Sequence, residues 1–156
     1  MRSRSERYLA MGDSAMIDKI GRAQDLTANG DRAGARAIYD ALWAEATRGG
    51  DQYQACVVAH FLAHAHVDPE AQLAWHLHAL QAADAVGDER VHSFYPSLHA
   101  NLGDVYLRLG NLTQAQEHID KARETEGVLL DDGYGRLMRS LIIRLTQAIE
   151  RDNSRG

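Results

Sequence analysis

The clearest pattern of small, large and polar positions lies in residues 96–122. Its small and apolar members recur at helical spacing; they are Leu102, Gly103, Tyr106, Ala115, Ile119 and Ala122. Gly110 and Asn111 divide the pattern, and either residue tolerates the left-handed turn that ends a helix. The pattern therefore predicts two antiparallel helices. Because Gly103 has no side chain, we expect its backbone to approach Ala115 and make the tightest contact of this hairpin.

This pattern resembles the tetratricopeptide repeat (TPR) helix hairpin, whose signature is Trp-x-x-Leu-Gly-x-x-Tyr, then Ala-x-x-x-Phe, then Pro. His99 stands in the Trp place, Ile119 in the Phe place and Gly127 near the Pro place. Weaker copies precede it, with Ala23 and Ala59 in the place of Gly103. The resemblance implies an all-α fold, a right-handed α-solenoid of about three TPR-like helix hairpins plus a C-terminal capping helix.

The predicted domain organisation follows from the positions of Gly, Asp and Pro between the helical segments. Residues 1–12 are expected to be a flexible N-terminus and residues 151–156 a disordered tail. Residues 13–150 are expected to form a single TPR-like domain, with repeats at about 15–48, 51–87 and 90–125 and a capping helix at 133–150. In that last helix one apolar stripe is predicted at Leu137, Leu141, Leu145 and Ala148.

Composition and charge narrow the classes of function. The chain is 45% hydrophobic and contains two prolines, and it has no runs of β-branched and aromatic residues at period two, so an all-α fold is favoured. The net charge of −5 disfavours binding to nucleic acid, because contacts with the phosphate backbone need positive charge. No apolar run approaches the roughly 20 residues of a membrane span, so no membrane partner is expected. The single cysteine, Cys56, indicates a reducing cytoplasmic location.

The resemblance also implies where a partner would bind, because the first helix of each TPR hairpin lines a concave groove. The corresponding positions here are Gln24, His60, His64, Asn101, Asp104 and Arg108. The leading prediction is a protein-interaction module, an adaptor or regulator that holds a peptide or helix of a protein partner in this groove and needs no cofactor. A homodimer contact through the last helix is a further alternative, since Ile143 lies off the main apolar stripe.

Histidines motivate the rival interpretation, which is a small-molecule or metal site and belongs to a different class of function. His60 and His64 are four residues apart and share one helix face, and Asp104 would lie opposite them in the groove. Two imidazoles and a carboxylate can ligate zinc or act as an acid–base group, and Arg108 beside them could bind an anion. The glutamate of the His-Glu-x-x-His motif is missing, because Phe61 follows His60. An enzyme is therefore the less favoured interpretation, and Cys56 is predicted to be a core residue.

Overall fold

The computed structural model of the chain describes residues 14–155, which form seven α-helices and two short 3-10 helices without a β-strand. The α-helices are α1 (Ser14–Ala28), α2 (Arg32–Arg48), α3 (Gln52–Ala65), α4 (Pro69–Val86), α5 (Tyr95–Arg108), α6 (Leu112–Thr125) and α7 (Gly133–Ser154). The 3-10 helices are Glu89–Phe94 and Glu126–Val128. The all-α prediction is confirmed for this part of the chain. The predicted flexible N-terminus, residues 1–12, lies outside the described residues.

The described chain divides into two compact units between Val86 and Gly87. In the N-terminal unit, α1 packs against α2, α2 against α3 and α3 against α4. In the C-terminal unit, α5 packs against α6, and α7 packs against both. The prediction of a single TPR-like domain over residues 13–150 stays a prediction.

Aspartates begin three helices of the N-terminal unit. The carboxylate of Asp31 accepts a hydrogen bond from the Gly34 N–H at 2.8 Å, and Asp51 caps α3 through Gln54 in the same way. Such caps satisfy N–H groups that have no partner within the helix. Asp68 caps α4 through the Ala71 N–H at 3.2 Å, and Pro69 follows as the first helical residue, where its missing N–H costs nothing. Gly30 ends α1 in the left-handed region, with φ at 89°.

Helix α3 is the buried centre of the N-terminal unit. Its buried residues occupy almost every side of the helix, and they include Cys56, Val57, Val58, Ala59 and Leu62. Burial of this kind suits a helix with a partner on either side, and α3 packs against α2 and α4. In the C-terminal unit α5 is buried in the same way, from Pro96 to Gly103.

At Gly103, the nearest part of α6 is the side chain of Ile119, and the backbone of Ala115 is also close, so the expected approach of Ala115 is accompanied by a closer one. A Cβ added to Gly103 would lie 2.6 Å from Ile119 Cδ1, whereas the carbonyl oxygen of Ala115 would be 3.5 Å away. The physical reason is reach, because the branched Ile119 side chain extends past the α6 backbone toward α5. Gly103 is still the residue that makes this close approach feasible.

Helix α7 differs from its prediction in two respects. Its buried face is formed by Met138, Ile142, Leu145 and Ile149. Leu137, which was expected in the core stripe, is 54% exposed, and Ile143 is 56% exposed. The helix also continues to Ser154, so residues 151–154 are helical where a disordered tail was predicted.

Candidate functional site

Two of the residues predicted for a binding groove line the same pocket of the N-terminal unit. Gln24 of α1 and His64 of α3 lie at this pocket, which has a volume of about 180 Å³. Its other lining residues are Thr27, Tyr39, Phe61 and Ala65. We call it the Phe61 pocket. Three helices therefore contribute to one concave site, and two of its residues are among those predicted for the groove.

Aromatic rings form the floor of the Phe61 pocket, and polar groups lie beside it. Phe61 stacks on Tyr39 with ring centroids 5.6 Å apart and planes only 14° from parallel. Tyr39 is buried, and burial raises the pKa of its hydroxyl to about 12, so the ring stays neutral at physiological pH. Gln24 is half-buried and His64 is exposed, so an amide and an imidazole remain accessible beside an aromatic floor.

His60, predicted as a third groove residue, lies in the core. It is 2% exposed, and its ring contacts His64 edge-on at 4.8 Å. His64 in turn contacts His76 of α4 at 5.4 Å. Within residues 14–155, no group of three or more His, Cys, Asp or Glu side chains is arranged to hold a metal ion. His60 therefore supports the position of His64 and does not itself present a ring at the surface.

The other three predicted groove residues lie on α5 in the C-terminal unit. Asp104 and Arg108 form an ion pair at 3.2 Å, one helical turn apart on a partly exposed face. Asn101 is 8% exposed, and its Nδ2 is a buried donor that makes no hydrogen bond to the described residues. The exposed ion pair contributes little to stability, since solvent screens such pairs. Asp104 and Arg108 are thus partly exposed, whereas Asn101 is largely covered.

The C-terminal unit contains a histidine pair that the sequence reasoning did not identify. His99 of α5 and His118 of α6 are both buried, and their Nδ1 atoms lie 3.1 Å apart. Tyr95 stacks on His99, and Tyr106 stacks on His118 at 5.5 Å. A signal was present: His99 occupies the Trp place of the hairpin pattern, and His118 directly precedes the inward-facing Ile119.

Cys56 is a core residue, as predicted from its apolar neighbours. Burial raises the pKa of its thiol to about 12, and Asp84 adds to the shift. A thiol with such a pKa stays protonated, and the protonated form is a poor nucleophile.

The chain was compared with known protein families, curated proteins and solved structures. Models of protein families give no match to the chain. Comparisons with curated proteins and with solved structures give no match either. Among the described helices, none combines the length and apolar character needed to cross a membrane.

Proposed function

We propose that this chain is a protein-interaction module, an adaptor or regulator built from TPR-like hairpins arranged as an α-solenoid. The observation that carries the proposal is the Phe61 pocket. Gln24 and His64 come from different helices, and both were selected as partner-facing residues from the repeat pattern. Their presence in one pocket supports recognition of a partner segment by the first helices of the hairpins.

The dimensions of the Phe61 pocket favour one side chain of a partner over a free metabolite. Small-molecule sites have volumes of roughly 300–1,000 Å³, and this pocket is smaller, at about 180 Å³. An aromatic floor with an amide and an imidazole beside it is typical of an anchor pocket in a protein interface, where a buried apolar group provides affinity and polar groups provide direction. We therefore propose that an apolar side chain of the partner binds on Phe61.

The test begins with peptides selected by display on the full chain. We expect the selected peptides to share an apolar anchor residue. The double variant Gln24→Ala/His64→Ala should then weaken their binding about tenfold, because interface anchors commonly contribute more than 1 kcal/mol. The matched control is His92→Ala, which removes an exposed histidine in the 3-10 helix Glu89–Phe94.

A second double variant, Asp104→Ala/Arg108→Ala, tests whether the predicted groove residues act together. If one continuous surface binds the peptide, this variant should weaken binding by a similar factor. If only the Phe61 pocket binds, affinity should change less than twofold. Unchanged affinity in Gln24→Ala/His64→Ala would overturn the assignment of the pocket.

A further inference from the structure

A second, larger cavity lies at the other end of the α2–α3 helix pair. Its volume is about 370 Å³, within the range of small-ligand sites. It lies where α2 ends and α3 begins, against the C-terminal half of α4. Alanines of all three helices line its apolar part, because their short side chains leave the space open. We call it the Trp43 cavity.

An aromatic wall borders the Trp43 cavity. Trp43 and His78 both line it, with their rings 5.4 Å apart. Trp75 packs behind them and contacts Trp43 edge-on at 5.1 Å. These contacts among three rings restrict how Trp43 can turn, so the wall is formed before any ligand arrives.

The polar lining of the cavity includes several hydrogen-bond acceptors and one negative charge. Asp51 is the formally charged residue among the lining residues, which include no Lys or Arg. One Asp51 oxygen caps α3 by accepting the Gln54 N–H at 3.0 Å. A carboxylate accepts about four hydrogen bonds, so Asp51 can bind a ligand while it caps the helix. Gln52 and Gln81 add two amide oxygens to the same lining.

We propose that the Trp43 cavity binds a guanidinium group, on an arginine side chain or on a free small molecule. A guanidinium is a planar, weakly hydrated cation that stacks on aromatic rings and offers five N–H donors. The cavity presents the complementary set: an aromatic wall, a carboxylate and two amide oxygens. No Lys or Arg lines the cavity to favour an anion instead. This inference uses different residues from the Phe61 pocket and goes beyond the proposed function.

Tryptophan fluorescence measures binding at this site directly, because Trp43 and Trp75 are the two tryptophans of the chain. The probes are N-acetylarginine amide, its lysine analogue and its neutral citrulline analogue. We expect the arginine probe to change the emission and to bind more than about tenfold tighter than the citrulline probe, since charge-assisted hydrogen bonds are about twice as strong as neutral ones. Equal responses to arginine and citrulline would overturn the proposal.

Two substitutions separate charge from shape. Asp51→Asn keeps the helix cap, because Asn and Asp are equally good caps, but it removes the carboxylate. Binding of the arginine probe should fall about tenfold. Ala85→Phe should fill the cavity from its exposed rim and abolish binding. The control is Asp31→Asn, the same change at the cap of α2 outside the cavity, and it should leave affinity unchanged. If Asp51→Asn binds as well as the parent, the proposal is wrong.

The source of the guanidinium is resolved by a third comparison. A peptide with one central arginine is titrated beside the free amide. Affinity at least tenfold higher for the peptide would support an arginine on a protein partner. Equal affinities would support a free guanidinium compound. A lack of binding by both arginine probes would overturn the proposal.

Discussion

The two units arrange their histidine clusters differently. In the N-terminal unit, His60, His64 and His76 meet edge-to-face, and His64 remains exposed at the Phe61 pocket. In the C-terminal unit, His99 and His118 stack with planes 25° apart, and both are buried. In the N-terminal cluster one ring, that of His64, thus lies at the surface, whereas His99 and His118, 19 residues apart, form a buried hydrogen bond. Spacing along one helix indicates which histidines share a face, but the neighbouring helix determines whether their rings are buried or exposed.

The two units also differ in the surroundings of a glycine at a helix start. Helices α2 and α7 both begin with Asp-x-x-Gly, and both Gly N–H groups donate to the capping carboxylate at 2.8 Å. Yet a Cβ on Gly34 would meet only the side chain of Asp31, whereas a Cβ on Gly135 would overlap the carbonyl oxygen of Leu130. That carbonyl is held in place by a hydrogen bond from Arg139 Nη1 at 3.2 Å. The same Asp-x-x-Gly pattern therefore carries different packing constraints in the two helices.

The largest effect is expected from Gly103→Leu in the C-terminal unit. A Cβ there would come within 2.6 Å of Ile119, and the remaining atoms would force α5 and α6 apart. We expect the free energy of unfolding to fall by about 3 kcal/mol, at the upper end for overpacked cores. Urea unfolding followed by circular dichroism measures the change. The N-terminal unit has Ala23 at the corresponding place, fully buried, so a Cβ is accommodated there.

A smaller substitution at Gly103 shows whether contact with Ile119 causes the loss of stability. Gly103→Ala should destabilise the parent, and it should destabilise an Ile119→Val background less, because valine lacks the Cδ1 atom nearest the new Cβ. A double-mutant cycle isolates that interaction. Equal costs of Gly103→Ala in both backgrounds would show that another contact limits the hairpin.

The next effect compares Gly135→Ala with Gly34→Ala. A fixed backbone carbonyl blocks Gly135, so we expect a loss of about 2 kcal/mol in the free energy of unfolding. Gly34→Ala should change stability by no more than about 1 kcal/mol, because the Asp31 side chain can rotate and alanine favours the helix. Chemical unfolding of both variants provides the measurement. Similar losses in the two variants would contradict the distinction between the two helix starts.

Sequence reasoning predicted the elements better than the contacts between them. The all-α class and the helix end at Gly110 followed from local conformational preference, and Gly110 has the expected positive φ. The exposure of Leu137 did not follow, since a helix that is apolar on several sides does not itself define which side faces its neighbours. At the Phe61 pocket, Gln24 and His64 were predicted from the repeat register. The stacking of Tyr39 on Phe61 could not be predicted, because it depends on the angle between α2 and α3.

The smallest change in stability is expected when the pH is lowered and the pair of His99 and His118 becomes protonated. Burial lowers the pKa of His118, Lys121 lowers it further, and Glu117 opposes them. The folded chain therefore binds this proton less readily than the unfolded chain, whose histidines titrate near about 6.5. Stability contributed by the neutral imidazole is complete above about pH 6.5 and is lost as the pH falls below that value. The hydrogen bond acts in the same direction, since one Nδ1 must be an unprotonated acceptor.

His118→Phe tests this prediction, because phenylalanine retains a ring between His99 and Tyr106 but cannot bind a proton. The variant loses the hydrogen bond at every pH, so the informative quantity is the slope of melting temperature against pH between about 7.5 and 5.5, on either side of the ordinary histidine value. That slope should be shallower than in the parent. The control is His92→Ala, which removes an exposed histidine and should retain the parent slope. If His118→Phe keeps the slope of the parent, another group causes the pH dependence of the melting temperature. The buried pair would then be a packing feature, like His60 in the core of the N-terminal unit.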